Sequence, residues 1–181
     1  MWPDKEDNLN KLIKKVKNKA KKYGRSIKFG LRIHVIVRET EDEAKAYARG
    51  LISKLDLKKG EDIKNRALDS KSLGVSIQSN LRSQSNQDFF AEPNLWTGIG
   101  LARSGCGAAL VGNPDQIASK LKRYIGMGIE SFILSGYPHN KECEIFGNYV
   151  LPHFNNISLS KQLGRFPEVK SNSPLSEGRR K

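Results

Sequence analysis

The run Gly30-Leu31-Arg32-Ile33-His34-Val35-Ile36-Val37 is apolar except for a guanidinium and an imidazole two residues apart. Strand side chains alternate faces, so Arg32 and His34 project from one side while Leu31, Ile33, Val35 and Val37 fill the other. An arginine inside such a run is costly unless something negative meets it. The pair therefore reads as an anion site, although an internal ion pair or a strand end reaching water satisfies the same arithmetic. Arg103 is a second candidate. It stands close to Gly105 and Gly107, whose backbones permit close approach or positive φ, and its forked donors suit an oxyanion clamp; an ordinary glycine turn with a surface arginine has the same pattern. A third segment, Ser135-Gly136-Tyr137-Pro138-His139, sets a phenol and an imidazole just beyond the apolar run 129–134. Such groups hold or pass protons, and equally occur as turn residues.

The intervening sequence supplies the elements that would position these groups. Leu9, Leu12, Ile13, Val16, Ala20 and Tyr23 fall on one face of a helix over 4–23, stopped by Gly24. A strand over 27–37 follows, and Thr40 with Glu43 forms a capping box for a helix over 41–55. From 56 to 93 the periodicity dissolves into Ser, Asn, Gln and Lys, which predicts a mobile lid with helical pieces. A short strand over 108–111 leads to a helix capped by Asn113, opened by Pro114 and closed by Gly126 and Gly128. A strand over 129–134 and a helix over 141–151 complete a domain spanning 1–155, and 156–181 reads as a polar, disordered tail. The alternation predicts an α/β protein with parallel strands, whose carboxyl-end loops carry the chemistry.

The net charge is +13, yet the lysines gather on the first helix and the basic residues of the end are Arg179, Arg180 and Lys181, without aromatic interleaving. That is the pattern of a solvated face and gives no ground for a nucleic-acid partner. Cys106 and Cys143 lie in no CxxC pattern and read as reduced thiols, with no metal site. No apolar run approaches the ~18 residues of a membrane span, so a soluble, cytoplasmic protein is expected. No Gly-x-Gly-x-x-Gly joins a strand to a helix, so no nicotinamide site is expected.

Three segments in order, GRSIKFGLRIHVIVRETEDEA, PNLWTGIGLARSGCGAALVGNP and SFILSGYPHNKE, resemble the carboxyl-terminal half of the alkanesulfonate monooxygenases dependent on reduced flavin mononucleotide, within the bacterial-luciferase-like flavin superfamily. The resemblance covers 24–154. It implies the last three β/α units of a (β/α)8 TIM barrel, with the strands at 27–37, 108–111 and 129–134 as the sixth to eighth and the 56–93 insertion closing over the site. The first five strands, most of the flavin surface and the family's amino-terminal active-site cysteine would be absent; neither Cys106 nor Cys143 matches that cysteine. By the same resemblance, Arg32 and Arg103 bind or process the sulfonate, and His34, Tyr137 and His139 supply or position protons. Reduced flavin and dioxygen are co-substrates, the flavin being reduced by a separate NAD(P)H-dependent reductase, and the products are an aldehyde and sulfite. The intact family members form homo-oligomers; this chain alone is expected to be inactive. Other readings of the sequence are a related flavin monooxygenase with another substrate and a basic nucleic-acid-binding module.

Overall fold

A computed structural model describes residues 1–66, 72–101, 105–155 and Gly164. Helix α1 (Glu6–Lys22) buries Leu9 and Ile13 and turns most of its lysines to solvent. Strand β1 (Phe29–Val37) follows, then α2 (Glu41–Ile52), whose Thr40/Glu43 capping box forms as the spacing predicts. The polar stretch does contain helices, α3 (Leu57–Arg66) and α4 (Leu73–Ser83). It also holds a hairpin that periodicity could not reveal, because β2 (Phe90–Glu92) and β3 (Leu95–Trp96) are too short to show alternation. Its turn places Asn94 at φ 63°, a left-handed conformation that asparagine tolerates, and the Asn94 amide donates to the Val111 carbonyl at 2.9 Å. A 3₁₀ turn, Gly98–Leu101, leads toward β4 (Ala109–Gly112), α5 (Pro114–Gly126), β5 (Ile129–Ser135) and α6 (His139–Tyr149). The last helix begins two residues earlier than its pattern suggests, so His139 opens a helix instead of ending a loop.

The sheet order is β2-β3-β4-β1-β5, with β1 parallel to both β4 and β5. The three predicted strands are therefore not successive neighbours: β1, not β4, is the middle one. The reason lies at the amino terminus. The Met1 amine donates to the Gly30 carbonyl at 2.6 Å and the Arg32 amide donates to the Met1 carbonyl at 3.0 Å, the bond pair of a parallel bridge opposite Leu31. Met1, β1 and β5 thus form the neighbouring parallel series, joined through α1 on one side. Strand β4 belongs with the β2–β3 hairpin and pairs only with the carboxyl half of β1, His34 to Val37.

The two faces of β1 are divided as alternation requires. Leu31, Ile33, Val35 and Val37 pack with Leu9 and Ile13 of α1 and Ile117, Leu121 and Tyr124 of α5. Ile36, Ala109, Val111 and Trp96 form a smaller core beneath Ala44 and Ala48 of α2. Between these covers, the lower part of the second face stays open: Gly30 pairs with Ser131 and Arg32 with Ile133, which is 65% exposed. Neither cysteine forms a disulfide, and no helix among the described residues is long and apolar enough to cross a membrane.

Candidate active site

The open face of β1 and β5 carries the predicted groups in successive rows. Ladder register sets Arg32 beside Ile133, then His34 beside Ser135. Arg32 is exposed and, among the described residues, forms no ion pair; it lines an open recess of about 600 Å³ with Trp2, Gly30, Ser72, Ser131 and Ile133. Of the ways to satisfy a strand arginine, reaching water is the one observed, and the solvent it meets fills a concave site. The recess combines an indole, two hydroxyls and a guanidinium, a donor set suited to a polar anion with some apolar surface.

His34 is 1% exposed, and its Nδ1 lies 2.9 Å from the Ser135 hydroxyl. That contact orients the imidazole and depends on its tautomer. The Tyr137 ring stacks on His34 at a centroid separation of 5.7 Å, and the His139 ring lies 4.9 Å from that of Tyr137. Three of the five predicted site residues thus form one aromatic row, buried at His34 and reaching solvent at Tyr137 and His139. Tyr137 also closes an apolar hollow of about 180 Å³ with Leu51, Ile52, Leu55 and Ile99.

Arg103, the fifth predicted residue, lies outside the described residues. Its flanks are held firmly, however. Gly107 donates its amide to the Gln78 side chain at 3.1 Å, and Arg82 donates to the Gly100 carbonyl at 3.0 Å. Gly100 and Gly107 approach so closely that a Cβ on Gly100 would sit 2.8 Å from the Gly107 carbonyl oxygen, which gives Gly100 a packing reason. Gln78 also donates to the Pro3 carbonyl at 2.6 Å, and α4 rests Gly74 against the Trp2 indole, where a Cβ would come within 2.6 Å. The insertion is thereby seated over the recess.

Ser135, Trp2 and Gln78 escape sequence reasoning for different reasons. Ser135 was legible in principle, since the register of two parallel runs pairs it with His34. Trp2 and Gln78 carried no pattern that distinguishes a site residue from any other residue of their types.

Residues 1–131 match the model of the luciferase-like monooxygenase family. The chain is 56% identical over 160 residues to a sulfoquinovose monooxygenase of Novosphingobium aromaticivorans, covering 88% of this chain and 44% of that protein. It is 51% identical over 180 residues to the sulfoquinovose monooxygenase of Agrobacterium fabrum, covering 99% and 47%. It spans less than half the length of both relatives. Among solved structures, DmoA from Hyphomicrobium sulfonivorans superposes with a TM-score of 0.61 at 19% identity, over 94% of this chain and 38% of that one. The long-chain alkane monooxygenase LadA gives 0.53 at 18% identity, over 93% and 37%, a likeness of fold alone. By its match to the family model over residues 1–131, the chain belongs to the luciferase-like monooxygenase family.

Proposed function

We propose that this chain is the carboxyl-terminal part of a sulfonate monooxygenase that uses reduced flavin mononucleotide and dioxygen, and that its substrate is a sulfonated sugar of the sulfoquinovose type. The observation that carries the reading is the recess itself: Arg32, Trp2, Ser72 and Ser131 line one cavity, in a chain 51% and 56% identical to sulfoquinovose monooxygenases. A sulfonate spreads one charge over three oxygens, which suits a guanidinium fork, and hydroxyls beside an indole suit a sugar better than an alkyl chain. An alkanesulfonate is the second reading, supported by the exposed Ile133 and the apolar hollow beside Tyr137.

The reaction converts R–CH2–SO3⁻, reduced flavin and dioxygen into R–CHO, bisulfite, oxidised flavin and water. Bound flavin would supply the electrons and activate dioxygen. Ile133, exposed beside Arg32, offers one apolar surface against which the ring of a bound flavin would rest next to the substrate. Arg32 and Arg103 hold the sulfonate, and His34, Tyr137 and His139 hold and deliver protons. A separate NAD(P)H-dependent reductase would supply the reduced flavin.

The rest of the barrel would be contributed by an amino-terminal half. Among the described residues β5 lies at the edge of the sheet and pairs with β1 alone, which leaves room for another strand. The test is sulfite release under air with flavin, NAD(P)H and a flavin reductase, from the chain mixed with the amino-terminal portion of the Novosphingobium relative. Sulfite from sulfoquinovose, and much less from octanesulfonate, is the expected result. Sulfite from octanesulfonate alone supports the second reading, and a folded mixture releasing none from either refutes both.

A further inference from the structure

We propose that Arg38 is a positioning residue for Tyr137 and His139: its guanidinium, clamped between the Tyr47 ring and the Glu142 carboxylate, fixes the segment that carries both side chains from two sides. The inference rests on assigning Tyr137 and His139 to the site and extends it to the residues that hold the segment carrying them.

Arg38 follows β1 directly, and its amide donates to the Gly112 carbonyl at 3.3 Å, anchoring it to the end of β4. Its guanidinium lies 3.6 Å over the centroid of the Tyr47 ring, a cation–π contact from α2. The Tyr47 hydroxyl in turn donates to the Tyr137 carbonyl at 2.9 Å. On the other side, Arg38 Nη2 pairs with Glu142 Oε1 at 2.7 Å, where Glu142 is 2% exposed and Arg38 19%. Glu142 reaches back to the same segment twice. Its amide donates to the Pro138 carbonyl at 3.1 Å, and its Cβ and Cγ press on Gly136, where an added Cβ would come within 2.5 Å of both. His139 completes the closure through a hydrogen bond from its Nδ1 side to the Gly136 carbonyl.

The arrangement spans three elements with a single planar cation. Stacking uses the face of the guanidinium and the ion pair uses its edge, so a lysine cannot reproduce both. A second carboxylate oxygen, Glu142 Oε2, is buried without a hydrogen-bond partner among the described residues. Stabilisation of that carboxylate thus falls largely on Arg38, an arrangement poor for stability alone but strict about geometry. What the geometry specifies is the direction of Tyr137, and with it the row His34, Tyr137, His139.

The test reads that row without any substrate, by aromatic NMR on the full chain with labelled Tyr and His. Cross-relaxation between the Tyr137 and His139 rings, and between Tyr137 and His34, is expected in the wild type. Tyr47→Phe removes one hydroxyl and is expected to weaken both contacts, and Arg38→Ala to abolish them, while the methyl spectrum of Ile33, Val35 and Leu110 is unchanged. Arg38→Lys keeps the ion pair but not the stack and is expected to resemble Tyr47→Phe. Unchanged ring contacts in both Arg38→Lys and Tyr47→Phe, with the core spectrum intact, overturn the proposal even if Arg38→Ala does not fold. A failure of sulfite release leaves this readout untouched, so the two readings fail separately.

Discussion

His34 Nδ1 and the Ser135 hydroxyl meet at 2.9 Å because the parallel ladder sets the two residues directly beside each other on adjacent strands. The contact binds one ring nitrogen of a nearly buried imidazole, and so biases where the proton sits on the other. Ser135→Ala is expected to change the His34 tautomer balance, read from its ring ¹⁵N shifts, with little change in fold. In the completed enzyme the loss of one such hydrogen bond should lower kcat/KM by about two- to tenfold. Unaltered nitrogen shifts would remove Ser135 from the site.

Arg32 separates stability from binding. Its side chain is exposed, so Arg32→Ala should move the unfolding free energy by no more than about 0.5 kcal/mol. A charge-assisted contact to a sulfonate is worth about 1.5–3 kcal/mol, so KM for the sulfonate should rise roughly 10- to 150-fold in the completed enzyme. Arg32→Lys should recover part of the loss, because the charge returns without the fork. Equal KM values for Arg32→Ala and wild type would show that the recess is not the sulfonate site.

The face shared by Arg32 and His34 was legible because alternation is a local property of nine extended residues, and the capping box at Thr40 and the cap at Asn113 were legible because each is a pattern of a few adjacent residues. Sheet order was not. The resemblance implies three consecutive barrel strands, whereas the neighbours of β4 are set by Asn94 and the hairpin before it. The bridge at Met1 consists of main-chain bonds and leaves no mark in residue types. Likewise, Arg38 and Glu142 lie 104 positions apart and meet only once α6 folds against β1.

A buried brace joins the insertion to the helices beneath it. Lys120, 1% exposed, pairs with Glu92 at 2.5 Å and Glu6 at 2.6 Å, and Arg123 adds a 2.9 Å pair to Glu6. Glu92 also accepts from the Glu6 amide, capping α1. Burial and the charges of Glu92 and Glu6 push the nearby Tyr124 phenol well above its usual range, so it stays neutral. Lys120→Met leaves Glu92 without its ammonium partner while Glu6 keeps Arg123; because Glu92 retains 18% exposure, the cost should be near the low end for a broken buried pair, about 3 kcal/mol. Urea midpoints at neutral pH measure it, and a change within error would show the brace to be inert.

The same brace predicts an acid limb of stability. Burial raises the Glu6 carboxyl pKa, but hydrogen bonds and charge from Lys120 and Arg123 outweigh it, and the folded value lies below 4.5. A lowered folded pKa means the unfolded chain takes up the proton first. The stabilisation is therefore fully present above the unfolded value and is lost as pH falls through the folded one. Denaturation midpoints of Glu6→Gln should change less than those of the wild type as pH falls from about 5 to about 3, through and below the ordinary glutamate range. Parallel curves would mean that Glu6 does not contribute.

Gln78 tests how the insertion is seated. Its carboxamide donates to the Pro3 carbonyl at 2.6 Å and accepts from the Gly107 amide at 3.1 Å, at 5% exposure. Gln78→Glu keeps the acceptor for Gly107 and loses the donor for Pro3, whereas Gln78→Leu loses both and leaves two buried main-chain groups without partners. Each orphaned group costs about 1–3 kcal/mol, and Gln78→Glu adds the cost of a carboxylate buried against the Pro3 carbonyl, so both variants should be destabilised. Amide exchange at Gly107 distinguishes the two: it should stay slow in Gln78→Glu and accelerate in Gln78→Leu. Because Trp2 lines the Arg32 recess and α4 rests on it through Gly74, the accelerated variant should also expose the indole, seen as a red-shifted and more quenchable Trp2 emission against the constant background of the fully buried Trp96. If Gly107 exchanges equally fast in both variants and the wild type, the helix is not held down by Gln78, and the roof over Arg32 must rest on the Trp2–Gly74 contact alone.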